Sequence, residues 1–520
     1  MNLLHRGTVP ALILFFMLGW GSSVFGQIIN FKPLERGDYT EEEEKLIVLR
    51  GMTLSFEYAA QVLRESSKEL TPGQEITGFA QDFRLGLHTV FHRDVEFHLV
   101  LEPSVRAFQG DNSRERREVD GRISEAQPLA LNAREAYLLY KFNPRSGLIL
   151  GKQEISIGDR RGKVFNGIAP GITYDCRVGT WCMPFGGIKT GPNSTDWIFH
   201  WALEYTAWDD KNQGYNNDTF KFEIFRIVYD ETNVPLGKNR GPGFFNSDAP
   251  DDGTVVDPSQ ETDASILPSP GGVPIYYDVD SEYFGIRFIW ESGIFFWNLD
   301  LTSSQGDRDL HRYRPTGTLP NDLIDLGGAP RGSFRQSVSG TAWETEVGFR
   351  SAKWKLGLRI LNADGDDGLA KGDKAGLAKG LRGYYEITPG SYRGTRLYFN
   401  GSDNNVESGA GLGHSVNNIK MIGFFYDFSD PQGKEMDYSL GIYKLELNRA
   451  VLDDNGDKQT NVGVEFDNLL TFYLHKAIKL QIEINIISTQ GAFSVNDFTR
   501  PNGETKGLFL QGIGRFVYSF

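Results

Sequence analysis

The chain has 520 residues, 13% of them aromatic and 60 of them glycine, and its formal net charge is −14. An acidic balance concentrates no positive charge for phosphates, which argues against a nucleic-acid partner. The glycine and aromatic contents favour strands and turns over helices.

The first 26 residues have the pattern of a secretory signal peptide. Arg6 supplies a basic start, Ala11–Leu18 is continuously apolar, and the small residue Gly26 precedes Gln27. An apolar run of about eight to ten residues is too short to span a bilayer. We expect Sec-type export and cleavage at this point, the alternative being an uncleaved anchor. Residues 27–50 show little periodicity and are predicted to be a periplasmic lead-in.

From residue 51 onward, apolar and polar positions alternate. In the first such segment, Leu54, Phe56 and Tyr58 lie opposite Ser55 and Glu57. A period of two places the two sets on opposite faces of a strand. Similar alternation recurs at 79–91, 95–101, 197–205, 284–290, 343–350, 354–360, 462–472 and 478–486. No later segment approaches the roughly 18 apolar residues that a transmembrane helix needs.

These segments predict an all-β fold, a transmembrane antiparallel up-and-down β-barrel over residues 51–520. Each has about the ten residues of a tilted membrane strand, with one apolar face for lipid and one polar face for a lumen. A soluble β-sandwich also alternates, but the number and regularity of the segments favour the barrel. We expect it in the outer membrane of a Gram-negative-type bacterium, with outer-membrane lipid and the barrel-assembly machinery as partners.

Residues 507–520 are predicted to be the strand that closes the barrel. Phe516, Tyr518 and Phe520 end its apolar face on aromatic rings and are predicted to form an assembly signal, whereas Arg515 falls on the lumen face. Pairing with the first strand would remove both exposed edges of the sheet. The alternative is an edge strand of a soluble sheet.

Two kinds of connection join the predicted strands. Short turns are predicted near His92–Asp94, Asn143–Ser146, Ser292, Ser351, Pro389–Ser391 and His475–Lys476. Long polar loops are predicted near Gln109–Ala130, Glu231–Asp278, Ser304–Ser337, Asn362–Gly380 and Gly401–His414. Membrane barrels place short turns on the periplasmic side and long loops outside. With Gly171–Thr180 assigned to a loop, the segments give about 18 strands, an even number as bacterial barrels require, with 16 or 20 as alternatives.

Charged residues of both signs fall on the predicted lumen face. By parity they include Arg84, Lys152, Glu154, Arg287, Arg350, Lys353, Lys355, Arg359, Lys479 and Arg515. The basic members predict a ladder that draws an anionic small molecule through the lumen, with carboxylates holding the guanidinium groups in place. Alternatively, the charges pair across strands and only solvate the wall. Lys353, Lys355 and Arg359 form the densest basic cluster.

Other chemistry has little support in the sequence. Cys176 and Cys182 can form a local disulfide in an exported chain, but two unpaired thiols fit equally well. The acidic loops lack the glycine of a calcium loop, and His88 and His98 fall on different strands without a partner nucleophile. We therefore predict no enzyme activity, no catalytic residue, no metal site and no cofactor.

Four short motifs follow one another within residues 133–168. They are Arg134–Tyr137, Gly151–Glu154, Gly158–Arg161 and Phe165–Gly167. Together they resemble the alginate export family of outer-membrane porins. The resemblance implies a monomeric barrel of about 18 strands that secretes an anionic polyuronate through an arginine-lined pore. It implies the pore or gating residues Glu135, Lys152, Glu154, Asp159, Arg160 and Arg161.

The sequence thus predicts an outer-membrane porin that passes anionic solutes by passive diffusion through a charged lumen and exports an acidic, alginate-like polysaccharide. One alternative is a general diffusion porin without solute preference. Another is a structural or receptor barrel that acts through its long outer loops. We expect a monomer.

Overall fold

The structure is a computed structural model of the chain. It describes residues 52–66, 75–92, 94–103, 107–110, 131–143, 146–157, 161, 163–176, 181–190, 196–209, 218–235, 276–311, 314–315, 323–324, 334–365, 383–384, 386–387, 392–399, 416–430, 436–452, 458–492 and 507–519. The predicted signal peptide and lead-in, residues 1–50, lie outside them. In the part of the chain so described, no helix has the length and apolar content needed to cross a membrane.

Within these ranges the alternating segments form strands β1 to β22. They are β1 Met52–Ser66, β2 Glu75–His92, β3 Val95–Pro103, β4 Ala107–Gly110, β5 Leu131–Asn143, β6 Ser146–Ile157, β7 Phe165–Cys176, β8 Trp181–Cys182, β9 Phe185–Lys189, β10 Trp197–Asp209, β11 Thr219–Pro235, β12 Tyr276–Ser292, β13 Phe295–His311, β14 Arg314–Pro315, β15 Leu323–Ile324, β16 Phe334–Arg350, β17 Trp354–Ala363, β18 Ile419–Ser429, β19 Met436–Leu452, β20 Lys458–His475, β21 Ile478–Thr489 and β22 Gly507–Ser519.

The strands pair antiparallel and close on themselves. Both β3 and β4 pair with β2, and both β8 and β9 pair with β10, so each of these two sets makes one interrupted strand. A separate hairpin contains β14 and β15. The last strand pairs with the first, where Gln61 lies opposite Arg515. The result is a closed antiparallel barrel of 18 strands, which confirms the predicted all-β barrel and its strand count.

Alternate residues of each strand face opposite sides of the wall. On β22, Leu508 and Leu510 are 59% and 40% exposed, whereas Gln511 and Arg515 are 1% and 2% exposed. The exposed set forms an apolar outer surface because lateral neighbours of the same parity share a face. It includes Leu54, Leu85, Phe199, Trp201, Phe284, Leu301, Val347, Leu358, Ile422, Val464, Ile482 and Leu510. The buried set faces the lumen.

The two ends of the barrel differ in their connections. At one end, which we name the short-turn end, tight turns join β12 to β13 and β20 to β21, and β1 begins and β22 ends there. At the other, the long-connection end, β11 ends at Pro235 and β12 begins at Tyr276, and β17 ends at Ala363 and β18 begins at Ile419. Strands β11, β12, β13 and β16 have 17 residues each, so they continue into two predicted loops, Glu231–Asp278 and Ser304–Ser337. Backbone pairing does not require an apolar face, and polar strand ends therefore still pair.

The connection between β17 and β18 folds into the barrel. Its described residues between 383 and 399, which we name the inner segment, are not in strands and contain side chains with no exposed surface, such as Tyr384 and Phe399. The connection leaves and re-enters the wall at one place, where the Asn418 amide donates to the Asp364 carbonyl at 3.2 Å. Asn418 has a φ of 53°, a conformation that asparagine tolerates better than most residues.

Two expectations about strand positions need correction. The predicted loop Gly171–Thr180 is wrong where the structure describes it, because residues 171–176 belong to β7 and pair with β6. The predicted short turn Pro389–Ser391 lies outside the described residues, but the stretches flanking it are the inner segment rather than two strands. A β-like apolar pattern in residues 383–399 reflects packing inside the lumen.

Candidate channel constriction

The inner segment is held to the wall by two buried carboxylates on β20. The amides of Leu397 and Tyr398 donate to Glu465 at 2.7 and 3.1 Å, and the Arg396 amide donates to Asp467 at 2.8 Å. Glu465 and Asp467 are two residues apart on β20, so their side chains lie on the same face of the strand, toward the lumen. Because these bonds satisfy backbone donors that are buried away from water, they fix the path of the segment.

Aromatic packing fills the space between the segment and the wall. The Tyr392 and Phe399 rings meet edge to face with centroids 5.0 Å apart, and Tyr384 lies 6.4 Å from Tyr283 of β12. At Gly340 of β16 the segment touches the wall backbone, where an added Cβ would lie 2.2 Å from the carbonyl carbon of Gly383. Glycine at this position allows that approach.

A second connection enters the lumen beside the inner segment. It joins β6 to β7, and the Ile387 amide donates to its Val164 carbonyl at 2.8 Å. The Arg393 amide donates to the Arg161 carbonyl at 2.9 Å. The two connections therefore brace each other across the interior of the barrel, and together they narrow it.

Arg161 is the centre of the charged part of this narrowing. Its guanidinium donates to Glu344 and Glu346 of β16, at 2.5 Å in the second case. Arg359 of β17 donates to Glu346 at 2.7 Å and to the Tyr443 hydroxyl at 3.1 Å. Burial and the neighbouring Arg359 lower the pKa of Arg161, but the two carboxylates outweigh them and raise it above its ordinary value. Arg161 is therefore charged.

A neighbouring pair of cations extends the cluster around the wall. Lys163 is fully buried and donates to Asp300 of β13 at 2.5 Å. Arg287 of β12 donates to Asp300 at 3.3 Å and to Glu223 of β11 at 3.1 Å. We name the set Arg161, Lys163, Glu223, Arg287, Asp300, Glu344, Glu346 and Arg359 the constriction cluster. Its four cations and four carboxylates balance.

Polar space lies on the long-connection side of the constriction cluster. Here Asp364 accepts bonds from the Thr341 amide at 2.8 Å and the Thr341 hydroxyl at 2.6 Å. An open polar cavity is lined there by Ser303, Ser304, Gln305, Ser339, Gly340, Thr341, Asn362, Asp364, Gly365, Asn448 and Arg449. Hydroxyl, amide and carboxylate groups suit a hydrated polar solute better than an apolar one.

The basic residues predicted near the short-turn end are also paired with acids. Arg350 donates to Asp218 at 3.1 Å and to Glu291 at 3.3 Å, and Lys355 donates to Glu291 at 3.0 Å. Lys353 lies in the turn before β17 and is exposed, so it does not join Lys355 and Arg359 in one cluster. Arg350 and Lys355 of the predicted basic ladder thus lie in ion pairs with carboxylates.

The remaining predicted lumen residues are distributed around the wall. Arg84 contacts Glu57 at 3.4 Å, and Arg515 donates to Gln481 at 3.0 Å and to Gln61 at 3.2 Å. The Lys479 amine lies 5.8 Å from the centre of the Tyr473 ring. Asp159 and Arg160 lie outside the described residues.

The motif residues around Arg134 form a cluster of their own. Buried Arg134 contacts Glu102 at 3.1 Å, Glu154 at 3.7 Å and Glu135 at 3.9 Å. Lys152 donates instead to the Ala133 carbonyl at 2.7 Å. Glu135 and Glu154 thus lie close to Arg134, and Glu154 is seven residues from Arg161 of the constriction cluster. On β6, Lys152 and Glu154 alternate with buried Gln153 and Ile155 and share the parity of exposed Leu150. They therefore lie on the outer face of the wall, and the prediction that they line the lumen is corrected.

The predicted assembly residues and cysteines are only partly described. Phe516 and Tyr518 lie on the outer face of β22, with Tyr518 opposite Tyr58, and Phe520 lies outside the described residues. Cys182 is disulfide-bonded. The side chain of Cys176, the only other cysteine of the chain, lies outside the described residues, so their pairing stays a prediction.

Sequence reasoning missed the residues that build the narrowing from the connections. Lys163 was not predicted to line the lumen. Alternation over 462–472 predicts that Glu465 and Asp467 face the lumen, but their bonds to the inner segment were not expected. One signal was available, because residues 383–399 contain four tyrosines and one phenylalanine between two glycine-rich polar loops. So many rings in one connection indicate a buried surface.

No protein-family model matches the sequence, and no curated protein matches it. Among solved structures, the chain is similar to OccAB1 of Acinetobacter baumannii, at 10% identity and a TM-score of 0.48 over 90% of this chain and 96% of that one. It is similar to the outer membrane protein OprD of Pseudomonas aeruginosa, at 9% identity and 0.45 over 90% and 93%. OccK5 (OpdH) of the same organism shows 12% identity and 0.44 over 91% and 99%.

Proposed function

We propose that the protein is an outer-membrane channel through which small polar solutes diffuse passively. The observation that carries the proposal is the closed barrel, with an apolar outer face and a lumen lined by charged and hydrogen-bonding groups. This distribution suits a wall between lipid and water. The long connections then face the cell exterior and the short turns the periplasm, after Sec-type export and insertion by the barrel-assembly machinery.

The narrowing sets the class of solute in this proposal. An open 18-strand barrel would leave a wide aqueous channel, whereas the inner segment and the β6–β7 connection occupy much of this one. The solute must pass beside the constriction cluster and is therefore small and hydrated. Since the four cations of that cluster pair with four carboxylates, the charge balance supports weak selectivity between anions and cations.

Conductance across planar bilayers tests this proposal. The purified chain should give discrete single-channel steps smaller than those of an unobstructed barrel of the same strand number, with a reversal potential near zero in a salt gradient. The matched control is the same preparation after boiling in detergent, which should give no steps. A folded, bilayer-inserted chain without any conductance would refute a channel function and favour a structural or receptor barrel.

Export of an acidic polysaccharide is the second candidate, and one observation favours it. Residues of the motifs that resemble the alginate export family form a charged cluster around Arg134, and Arg161 of the same motifs is central to the constriction. Transit of a polyuronate would require the inner segment to leave the lumen, because its aromatic residues are fully buried there. Added polyuronate should then block the current reversibly, whereas uncharged dextran of equal length should not. Equal effects of both polymers would contradict this candidate.

A further inference from the structure

Two histidines and one glutamate meet on the lumen side of β2 and β3, away from the constriction cluster. His88 of β2 lies directly opposite His98 of β3, and Glu96 is two residues from His98 on the same face. The two imidazole rings stack with centroids 4.3 Å apart. The sequence separates these residues onto different strands, but strand pairing makes them neighbours.

The ligand atoms of the three side chains are close enough to share one ion. One atom from each of His88, Glu96 and His98 lies within 4.8 Å of the other two, and the His88 Nε2 is 3.4 Å from the Glu96 Oε2. A tetrahedral zinc ion with ligand bonds of about 2.1 Å needs ligand atoms about 3.4 Å apart. The strands hold the backbone of the three residues in place. Rotations about the side-chain bonds are then enough to bring the ligand atoms to the spacing that the ion needs.

The surroundings orient these ligands. Lys141 of β5 binds Glu96 through Oε1, which leaves Oε2 on the side of the imidazoles. On its other side His98 stacks against Tyr137 of β5, with centroids 4.7 Å apart. Groups that hold ligand side chains in place are a regular part of metal sites. All three candidate ligands are partly exposed, so an ion can enter from the lumen.

We propose that His88, Glu96 and His98 form a binding site for a divalent cation of the zinc class. Two imidazoles with one carboxylate favour Zn²⁺, Cu²⁺ or Ni²⁺ over Mg²⁺ and Ca²⁺, which prefer oxygen ligands alone. Three protein ligands leave a fourth position open toward the lumen, for water or a passing solute. The site lies near the short-turn end, because β2 and β3 are joined there. It does not depend on whether the barrel conducts.

Calorimetric titration of the folded chain in detergent micelles with ZnCl₂ at pH 7.5 tests the proposal. Wild type should bind one Zn²⁺ per chain saturably, and Mg²⁺ should produce no such isotherm. His98→Gln and His88→Gln should each weaken Zn²⁺ binding at least tenfold, because a lost ligand costs at least that much affinity. His475→Gln changes an exposed histidine at the end of β20, outside the site, and this variant should bind Zn²⁺ as wild type does.

Two results would overturn the proposal. One is the absence of saturable Zn²⁺ binding in wild type. The other is equal affinity in wild type and in both site variants, which would assign the ion to another location. Heat-modifiable gel mobility of each variant shows whether its barrel is folded, and Glu96→Gln provides a third site variant if either histidine variant fails to fold.

Discussion

Arg359 shows how single residues in this lumen serve several contacts at once. Its guanidinium is held by Glu346, by Tyr443 and by the Gly394 carbonyl of the inner segment, and it lies 5.0 Å from the centre of the Phe425 ring. A planar guanidinium suits such combined pairing and stacking, which lysine would not reproduce. Arg359 therefore links the wall to the inner segment and contributes one of the four positive charges of the constriction cluster.

Replacing that charge tests the role of the constriction cluster. Arg359→Met keeps much of the side-chain length but leaves the carboxylates of Glu344 and Glu346 with less compensation. The permeability ratio of K⁺ to Cl⁻ should rise about threefold, because the narrowest region becomes net negative. The measurement is the reversal potential of single channels in a KCl gradient.

Lys353→Met provides the matched control for Arg359→Met. Lys353 lies two residues before Lys355 but is exposed in a turn, so its loss should leave the permeability ratio unchanged. An equal shift in both variants would mean that the overall charge of the barrel, and not the constriction cluster, sets ion preference. No shift in either would place the narrowest region elsewhere.

Alternation along the strands was enough to predict which side of the barrel wall many of these side chains face. Arg287, Arg350, Arg359 and Arg515 were each assigned to the lumen from alternation, and each lies there with an acid or amide partner. The alternation of residues along the strands does not predict which connection folds back into the lumen. The bonds of Glu465 and Asp467 to backbone amides near residue 397 therefore could not be foreseen, although both side chains were predicted to face inward.

At the scale of elements, the inner segment is the least expected part of the structure. Its residues Tyr392, Leu397 and Phe399 are as apolar as those of a membrane strand, and a short turn between strands was predicted beside them, at Pro389–Ser391. Over short stretches, a strand and a buried irregular segment have similar apolar compositions. What distinguishes them is the presence of pairing partners. Inside the lumen the segment finds carboxylates for its amides in place of a neighbouring strand.

Excision of the connection tests whether the inner segment narrows the channel. Residues 366–415 would be replaced by a short Gly/Ser linker, which is feasible because Asp364 and Asn418 are already hydrogen-bonded. Single-channel conductance should increase severalfold, since the lumen of an 18-strand barrel is wide when empty. Heat-modifiable mobility should persist, because no strand is removed.

A linker replacement in another long connection is the control for this excision. Exchanging residues 240–270 between β11 and β12 for the same linker should leave the conductance within about twofold of wild type, because ordinary outer loops do not fill the lumen. Unchanged conductance after the excision at 366–415 would show that the β6–β7 connection alone sets the narrowing.

At the scale of the whole molecule, the outer face determines where the barrel resides. Ile482 is 42% exposed in the middle of β21, and Leu474 is 63% exposed near the turn to that strand. In lipid, a charged residue costs most at the bilayer midplane and little at the interface. In water, both positions would accept arginine with a similar small cost. The difference in stability between an arginine variant at Ile482 and one at Leu474 is therefore large in lipid and small in water.

Comparing Ile482→Arg with Leu474→Arg therefore tests membrane residence. In lipid vesicles, Ile482→Arg should lower the free energy of unfolding by about 2–4 kcal/mol and Leu474→Arg by about 0–1 kcal/mol. The measurement is denaturant unfolding followed by tryptophan fluorescence. Equal effects of the two substitutions would contradict an outward, lipid-facing band at the middle of β21.

The overall architecture was accessible from the sequence because it depends on a local pattern. Alternation over ten or more residues fixes a strand and its two faces, and repeated alternation with an even strand count fixes closure. Strand ends were harder to place. Beyond the apolar band both faces are polar, so nothing in the composition distinguishes the last residues of β13 from a loop.

The contact between the first and last strands has a consequence for the order of assembly. Arg515 donates to Gln61 across 454 residues of chain, whereas neighbouring strands elsewhere in the barrel are joined by far shorter stretches. Such a distant pairing forms late, since its loop-closure cost is met only after local hairpins exist. Until β22 has been made, the growing sheet carries two open edges that can pair with other chains. A newly exported chain therefore needs a bound protein that keeps its hairpins from pairing with those of other chains. Pairing of the first strand with the last is the step that closes the barrel.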